Sequence, residues 1–152
     1  MRAVIQRVKN AWISIEGGEK QHMGAGLVVL FGVTDTDSPE DTLALANKIA
    51  QLRIFEDADG KMNVSALELG YECMVVSQFT LYADTKKGRR PSFIKAAKPE
   101  ISEPIYDKFL SEMQNEGFKN VIHGKFGAEM QINLQNDGPV TIIIDTDDWK
   151  KS

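Results

Sequence analysis

At 152 residues the chain has the size of one ordinary domain, and a chain of that length buries roughly two thirds of its unfolded surface. An apolar fraction of 42% beside 26% charged residues excludes a disordered chain and supports a packed core. The net charge of −4 argues against a general polyanion binder, yet residues 86 to 98 hold Lys86, Lys87, Arg89, Arg90, Lys95 and Lys98 and no acid.

The opening stretch, Met1-Arg2-Ala3-Val4-Ile5-Gln6-Arg7-Val8, is interrupted by polar residues. It offers neither a signal-peptide core nor the ~20 apolar residues of a membrane span, so a cytoplasmic protein without membrane attachment is expected. Residues 2–8 and 11–16 read as two paired strands, because Ala11, Ile13 and Ile15 alternate with Trp12, Ser14 and Glu16. Residues 24–33, GAGLVVLFGV, are a continuous apolar run bounded by glycine, the pattern of a strand covered on both faces. Ser38-Pro39-Glu40-Asp41 has the chemistry of a helix start, with a capping hydroxyl, a proline at the first helical position and two acids near the positive helix end. Leu43, Ala46, Ile49 and Ala50 follow at helical spacing.

A short strand over 53–56 precedes the turn signal Asp59-Gly60, and residues 71–81 form the next expected strand. A second helix is expected to begin at Ser102-Glu103-Pro104 and end at Gly117, with Ile105, Phe109, Leu110 and Met113 on its apolar face. Two strands, 131–134 and 140–144, close the chain and are joined by Asn136-Asp137-Gly138-Pro139. Strands outnumber helices, so the expected fold is α+β: a single domain over 1–152 with a curved, barrel-like, mostly antiparallel sheet and two main helices.

Several chemistries find no support in the residues. His22 and His123 are far apart and neither belongs to an HExxH or a His/Cys cluster, so no metal site is expected. No GxSxG elbow, phosphate-binding GxxxxGK[ST] or helix-opening dinucleotide fingerprint occurs, and no cofactor is expected. Cys73, the single cysteine, lies beside the apolar Met74-Val75-Val76, where a thiol ionises poorly; it reads as core.

What remains is the polar end of the 71–81 strand, SQFTLYAD, which runs into the basic KKGRRPSF. Along a strand Gln78 and Thr80 share one face and can reach the same ligand, while Ser77 and Phe79 share the other. If the strand frays there, its backbone N–H groups become free to meet a developing negative oxygen. On spacing alone, an ordinary strand end whose polar residues meet water is the favoured reading.

SQFTLYAD with KKGRRPSF, together with NDGPVT at 136–141, MRAVIQRV at the start, LRIFEDADGKMN at 52–63 and KFGAEMQI at 125–132, resembles the D-aminoacyl-tRNA deacylase family. The likeness spans nearly the whole chain with its motifs in order. It implies a homodimeric enzyme, with an active site at the subunit interface, that hydrolyses the ester between a D-amino acid and the 3′-terminal adenosine of tRNA. It also implies removal of glycine from mischarged tRNA. On this resemblance Ser77, Gln78, Phe79 and Thr80 form the catalytic strand end. Gly138-Pro139 is a cis pair, inserted from the partner subunit, that reads chirality; taken by itself an X–Pro bond is expected trans, since only about 5–6% are cis.

The resemblance further implies that Arg7 supports that pair and that Phe126 and Met130 surround the terminal adenine; in KFGAEM they otherwise read as core at helical spacing. Lys86, Lys87, Arg89 and Arg90 are placed to neutralise tRNA phosphates. An aminoacyl ester is already activated, so positioning and oxyanion stabilisation suffice without a strong nucleophile. Thr80 as nucleophile, as water-orienting group or as substrate-positioning group all remain open, with a noncovalent role favoured because no neighbouring residue can act as its base. Two other classes fit the residues alone: a hydrolase of a different small ester, and a noncatalytic RNA-binding module.

Overall fold

The computed structural model describes residues 1–150. Its strands are β1 (Arg2–Ile15), β2 (Gln21–Met23), β3 (Gly26–Gly32), β4 (Phe55–Glu56), β5 (Met62–Val64), β6 (Glu72–Ser77), β7 (Val121–His123) and β8 (Met130–Asp145), and its helices are α1 (Thr42–Ala50) and α2 (Pro99–Gln114). β1 pairs antiparallel with β2, β3 and β8, whereas the β3–β6 and β6–β7 pairs are parallel. The sheet curls into a nearly closed, mixed barrel, and β4–β5 forms a separate antiparallel pair. This is the α+β, barrel-like architecture the sequence led us to expect.

Burial of β3 on both faces follows from its unbroken apolar run. Leu27, Val29 and Phe31 point into a cluster shared with Leu45 and Ile49 of α1 and Ile105 and Phe109 of α2. Val28, on the other face, joins Val8, Ile13, Met74, Val76 and Ile122 in a second cluster inside the curled sheet. The Phe31 and Phe109 rings stack at 4.2 Å between centroids, fixing α2 against β3. Cys73 is fully buried in the first cluster, and that burial pushes its thiol pKa up, which removes it as a nucleophile.

Ser38 caps as its chemistry suggests: its hydroxyl accepts the Glu40 N–H at 3.4 Å, and Pro39 opens a 3₁₀ turn that runs into α1. Five local expectations are corrected. Residues 2–8 and 11–16 are one strand, β1, not two paired ones; irregularities in its pairing with β8 around Val8 shift the phase of burial without reversing the chain. The stretches 131–134 and 140–144 likewise belong to one strand: Ile132 and Leu134 pair with Ile13 and Ala11, and Thr141 to Ile144 pair with Gln6 to Ala3. The segment between them is therefore an interruption in one long ladder, not a hairpin turn.

Helix α2 begins at Pro99, not at Ser102, because Lys98-Pro99 supplies an earlier start and Pro104 lies on the exposed side, where water can meet the carbonyl it leaves unbonded. The strand expected over 71–81 ends at Ser77, and residues Phe79–Tyr82 form a 3₁₀ turn. Phe126 and Met130 lie not on a helix but on a turn and at the start of β8.

Candidate active site

The turn that replaces the end of the expected strand is held by its neighbours. Gln78 donates its N–H to the carbonyl of Phe31 at 2.7 Å, one residue past the last β3–β6 pair, and its carbonyl accepts the Leu81 N–H at 3.3 Å. A close approach to β3 is required: a Cβ on Gly32 would lie 3.0 Å from the Gln78 oxygen and 3.2 Å from Leu81 Cβ. The first N–H groups of such a turn have no acceptor inside it, and those of Phe79 and Thr80 have no hydrogen-bond partner among the described residues. The Gln78 N–H is committed, so the free main-chain donors of the turn are those of Phe79 and Thr80.

Gln78 and Thr80 do meet, though not as strand neighbours: the Gln78 Nε2 donates to the Thr80 hydroxyl at 2.5 Å. A hydroxyl that accepts in this way keeps its own hydrogen for another acceptor.

Beside the turn, at the carboxyl ends of β3 and β6, opens a cavity of about 570 Å³. Ser77, Gln78, Phe79, Phe126 and Met130 all line it. Thr80 is not among the residues that line it; it is exposed and tied to Gln78. Sequence reasoning missed Phe93, whose ring meets Phe79 edge-on at 5.1 Å, and Ser102 of α2. Phe93 had a signal, an aromatic residue inside the basic segment. None of the side chains lining the cavity is ionisable. Among the described residues no group of three or more His, Cys, Asp or Glu is arranged to hold a metal.

The remaining site residues lie elsewhere in the chain. Gly138 and Pro139 do not line the cavity; they are exposed, outside the β1–β8 ladder, and the bond between them is cis. Arg7 is buried beneath them, its Nε donating to the Asp137 carbonyl and its Nη1 to the Ile54 carbonyl, each at 2.8 Å, with Glu56 at 3.5 Å. Asn136 closes the loop from within: its Oδ1 accepts the Val140 N–H at 2.7 Å and its Nδ2 donates to the Val140 carbonyl at 3.1 Å. A Cβ on Gly138, where φ is 138°, would come within 2.8 Å of Val140 Cγ2 and 3.1 Å of Arg7 Nη2.

Lys86, Lys87, Arg89 and Arg90 all project from an exposed loop pinned at its base by mutual backbone bonds of Asp84 and Ser92 at 2.8 and 2.9 Å. None of the four has a carboxylate partner among the described residues. Asp84 is engaged by the Lys86 N–H and by Lys95, which hold its carboxyl below its ordinary pKa against the opposing effect of burial. The loop leads directly to Phe93 and the cavity wall.

The family model described as D-Tyr-tRNA(Tyr) deacylase matches residues 4–145. Curated relatives named D-aminoacyl-tRNA deacylase include that of Parabacteroides distasonis, 55% identical over 96% of this chain and 97% of its own, and that of Bacteroides thetaiotaomicron, 52% identical over the same shares. Among solved structures, a c-Myc DNA Unwinding Element Binding Protein is similar with a TM-score of 0.87 and 40% identity over 95% of this chain and 98% of that one. A probable eukaryotic D-amino acid tRNA deacylase shares the fold, with a TM-score of 0.81 at 18% identity over 94% and 97%. The chain belongs to the D-Tyr-tRNA(Tyr) deacylase family.

Proposed function

We propose that this protein hydrolyses the ester of D-aminoacyl-tRNA, and of glycyl-tRNA formed in error, and leaves L-aminoacyl-tRNA intact. The observation that carries the reading is a cavity with no ionisable side chain on its wall and two unpaired backbone N–H groups, of Phe79 and Thr80, beside it. With no ionisable side chain on its wall, such a site supplies no acid or base of its own for an unactivated bond, but it suits an ester that is already reactive. Water adds to the carbonyl carbon, the negative oxygen that develops is met by the two N–H groups, and the bond to the 3′-oxygen breaks as that oxygen takes a proton. The Thr80 hydroxyl, oriented by Gln78, positions substrate or water without forming a bond to carbon.

Selection by handedness rests on the Gly138-Pro139 loop. It is exposed and does not line its own chain's cavity, so in this reading a second copy of the chain supplies it to the cavity and the enzyme works as a homodimer. Main-chain carbonyls of the loop hold the substrate ammonium while the Phe79 and Thr80 N–H groups hold the carbonyl. The side chain of an L residue then points into the loop wall, whereas glycine has none. Phe126 and Met130 offer an apolar surface for the terminal adenine, and Lys86, Lys87, Arg89 and Arg90 meet the acceptor-end phosphates in the cytoplasm.

The test is ester loss from D-tyrosyl-, L-tyrosyl- and glycyl-tRNA incubated in parallel with purified protein. Loss of the D and glycyl esters with the L ester spared is expected. Equal loss of the L ester, or protection of all three, overturns the reading in favour of a general esterase or an RNA-binding module respectively.

A further inference from the structure

The turn that carries the free N–H groups is fixed at its start by backbone alone, through Gln78 and Phe31. Its other end has no such partner in the sheet. The Leu81 carbonyl, left over where the turn stops, instead accepts a hydrogen bond from Arg2 Nη1 at 2.8 Å. The same guanidinium lies over the ring of Tyr82, the next residue of the turn, at 4.7 Å from its centroid. Asp145, the last residue of β8 and the pairing partner of Arg2 in the ladder, holds the guanidinium in place: Arg2 Nε and Nη2 lie 3.0 and 2.9 Å from Asp145 Oδ2.

We propose that Arg2 is a positioning residue for the reaction, clamping the Phe79–Tyr82 turn so that the Phe79 and Thr80 N–H groups stay aimed at the developing oxyanion. This rests on the proposed deacylase reading of the site. Three contacts with one planar group specify the turn's orientation in a way that a single bond would not, and only the fork of a guanidinium can make them at once. β1 thereby carries both anchors of the composite site: Arg2 for the turn and Arg7 for the Gly138-Pro139 loop. Arg2 itself does not line the cavity, so it acts through the turn and not on substrate.

The experiment compares wild type, Arg2→Ala, Arg2→Lys and Asp145→Asn in single-turnover and steady-state deacylation of D-tyrosyl-tRNA, with folded fraction followed by circular dichroism. Arg2→Ala is expected to lose about tenfold to a hundredfold in kcat with KM within about twofold, since a misaimed donor weakens transition-state and not ground-state binding. Arg2→Lys recovers little of this, and Asp145→Asn loses less than Arg2→Ala. Millimolar methylguanidinium raises the kcat of folded Arg2→Ala several-fold and leaves Arg2→Lys and wild type unchanged, an effect no merely structural role produces. An unchanged kcat in folded Arg2→Ala, a rise confined to KM, or full activity in Arg2→Lys overturns the inference while leaving the deacylase reading intact. Absence of turnover in wild type overturns both.

Discussion

Arg7 and Asp137 meet where the long β1–β8 ladder is interrupted, with the arginine Nε donating to the Asp137 carbonyl at 2.8 Å from a buried position. This contact ties the exposed Gly138-Pro139 loop to the strand that also bears Arg2, whose guanidinium bonds the Leu81 carbonyl of the Phe79–Tyr82 turn.

Arg7→Ala leaves the carbonyls of Asp137 and Ile54 without their donor and opens space beneath the loop. A loss of roughly 3–6 kcal/mol in stability is expected, since each of the two hydrogen bonds to the charged guanidinium is worth about 1.5–3 kcal/mol. Urea unfolding measures it. Arg7→Lys restores one bond at most and should recover less than half of the loss.

Thr80→Ala removes the hydroxyl but keeps the residue's N–H, the group assigned to the oxyanion. Single-turnover deacylation should therefore slow by about tenfold or less, against the roughly 10²–10³ that removal of an oxyanion-hole donor costs. Abolished chemistry with substrate binding intact would show instead that the Thr80 oxygen attacks the ester.

The loop cations have no carboxylate partners among the described residues, so they are free to replace counterions on RNA. Binding should fall with salt at a log–log slope of about −0.7 for each phosphate contacted by a single strand. Replacing Lys86, Lys87, Arg89 and Arg90 with alanine should raise KM and flatten that slope while kcat holds. A KM insensitive to salt in the wild type removes the phosphate role.

Asp145 links pH to stability. Partial burial pushes its carboxyl up, but the Asp147 N–H and the Arg2 guanidinium outweigh burial and hold it below the ordinary carboxylate range. A group depressed in the folded state contributes stability that is complete above its unfolded pKa and is lost as pH falls through the folded one. Below about pH 4 the wild type should therefore lose stability more steeply than Asp145→Asn, as read from urea midpoints across the acid range.

Local pattern revealed those parts of the fold that neighbours in sequence determine. The apolar run of β3, the Ser38-Pro39 helix start and the apolar face of α2 were legible because their periodicity and capping chemistry are local. β1 and β8 were each split in two because a bulge shifts the alternation of burial as a chain reversal would; what keeps each strand running is its pairing with the other, more than a hundred residues away. Ser77 to Thr80 were recognisable as a polar strand end, but not as a 3₁₀ turn, since the turn depends on the Phe31 carbonyl and the bare Gly32 of a distant strand. Ser102 gave no signal, because it joins the cavity through the packing of α2 alone.

The central claim is that a working site needs the cavity of one copy and the Gly138-Pro139 loop of another. Ala96→Trp, which fills the cavity, and Gly138→Val, which displaces the loop, should each be inactive alone. When equal amounts are allowed to exchange subunits, about half of the dimers are mixed and each holds one complete site, so D-tyrosyl-tRNA hydrolysis should return to about a quarter of the wild-type rate. Mixed dimers that form and stay inactive, or wild-type protein that is fully active as a monomer, would contradict the account.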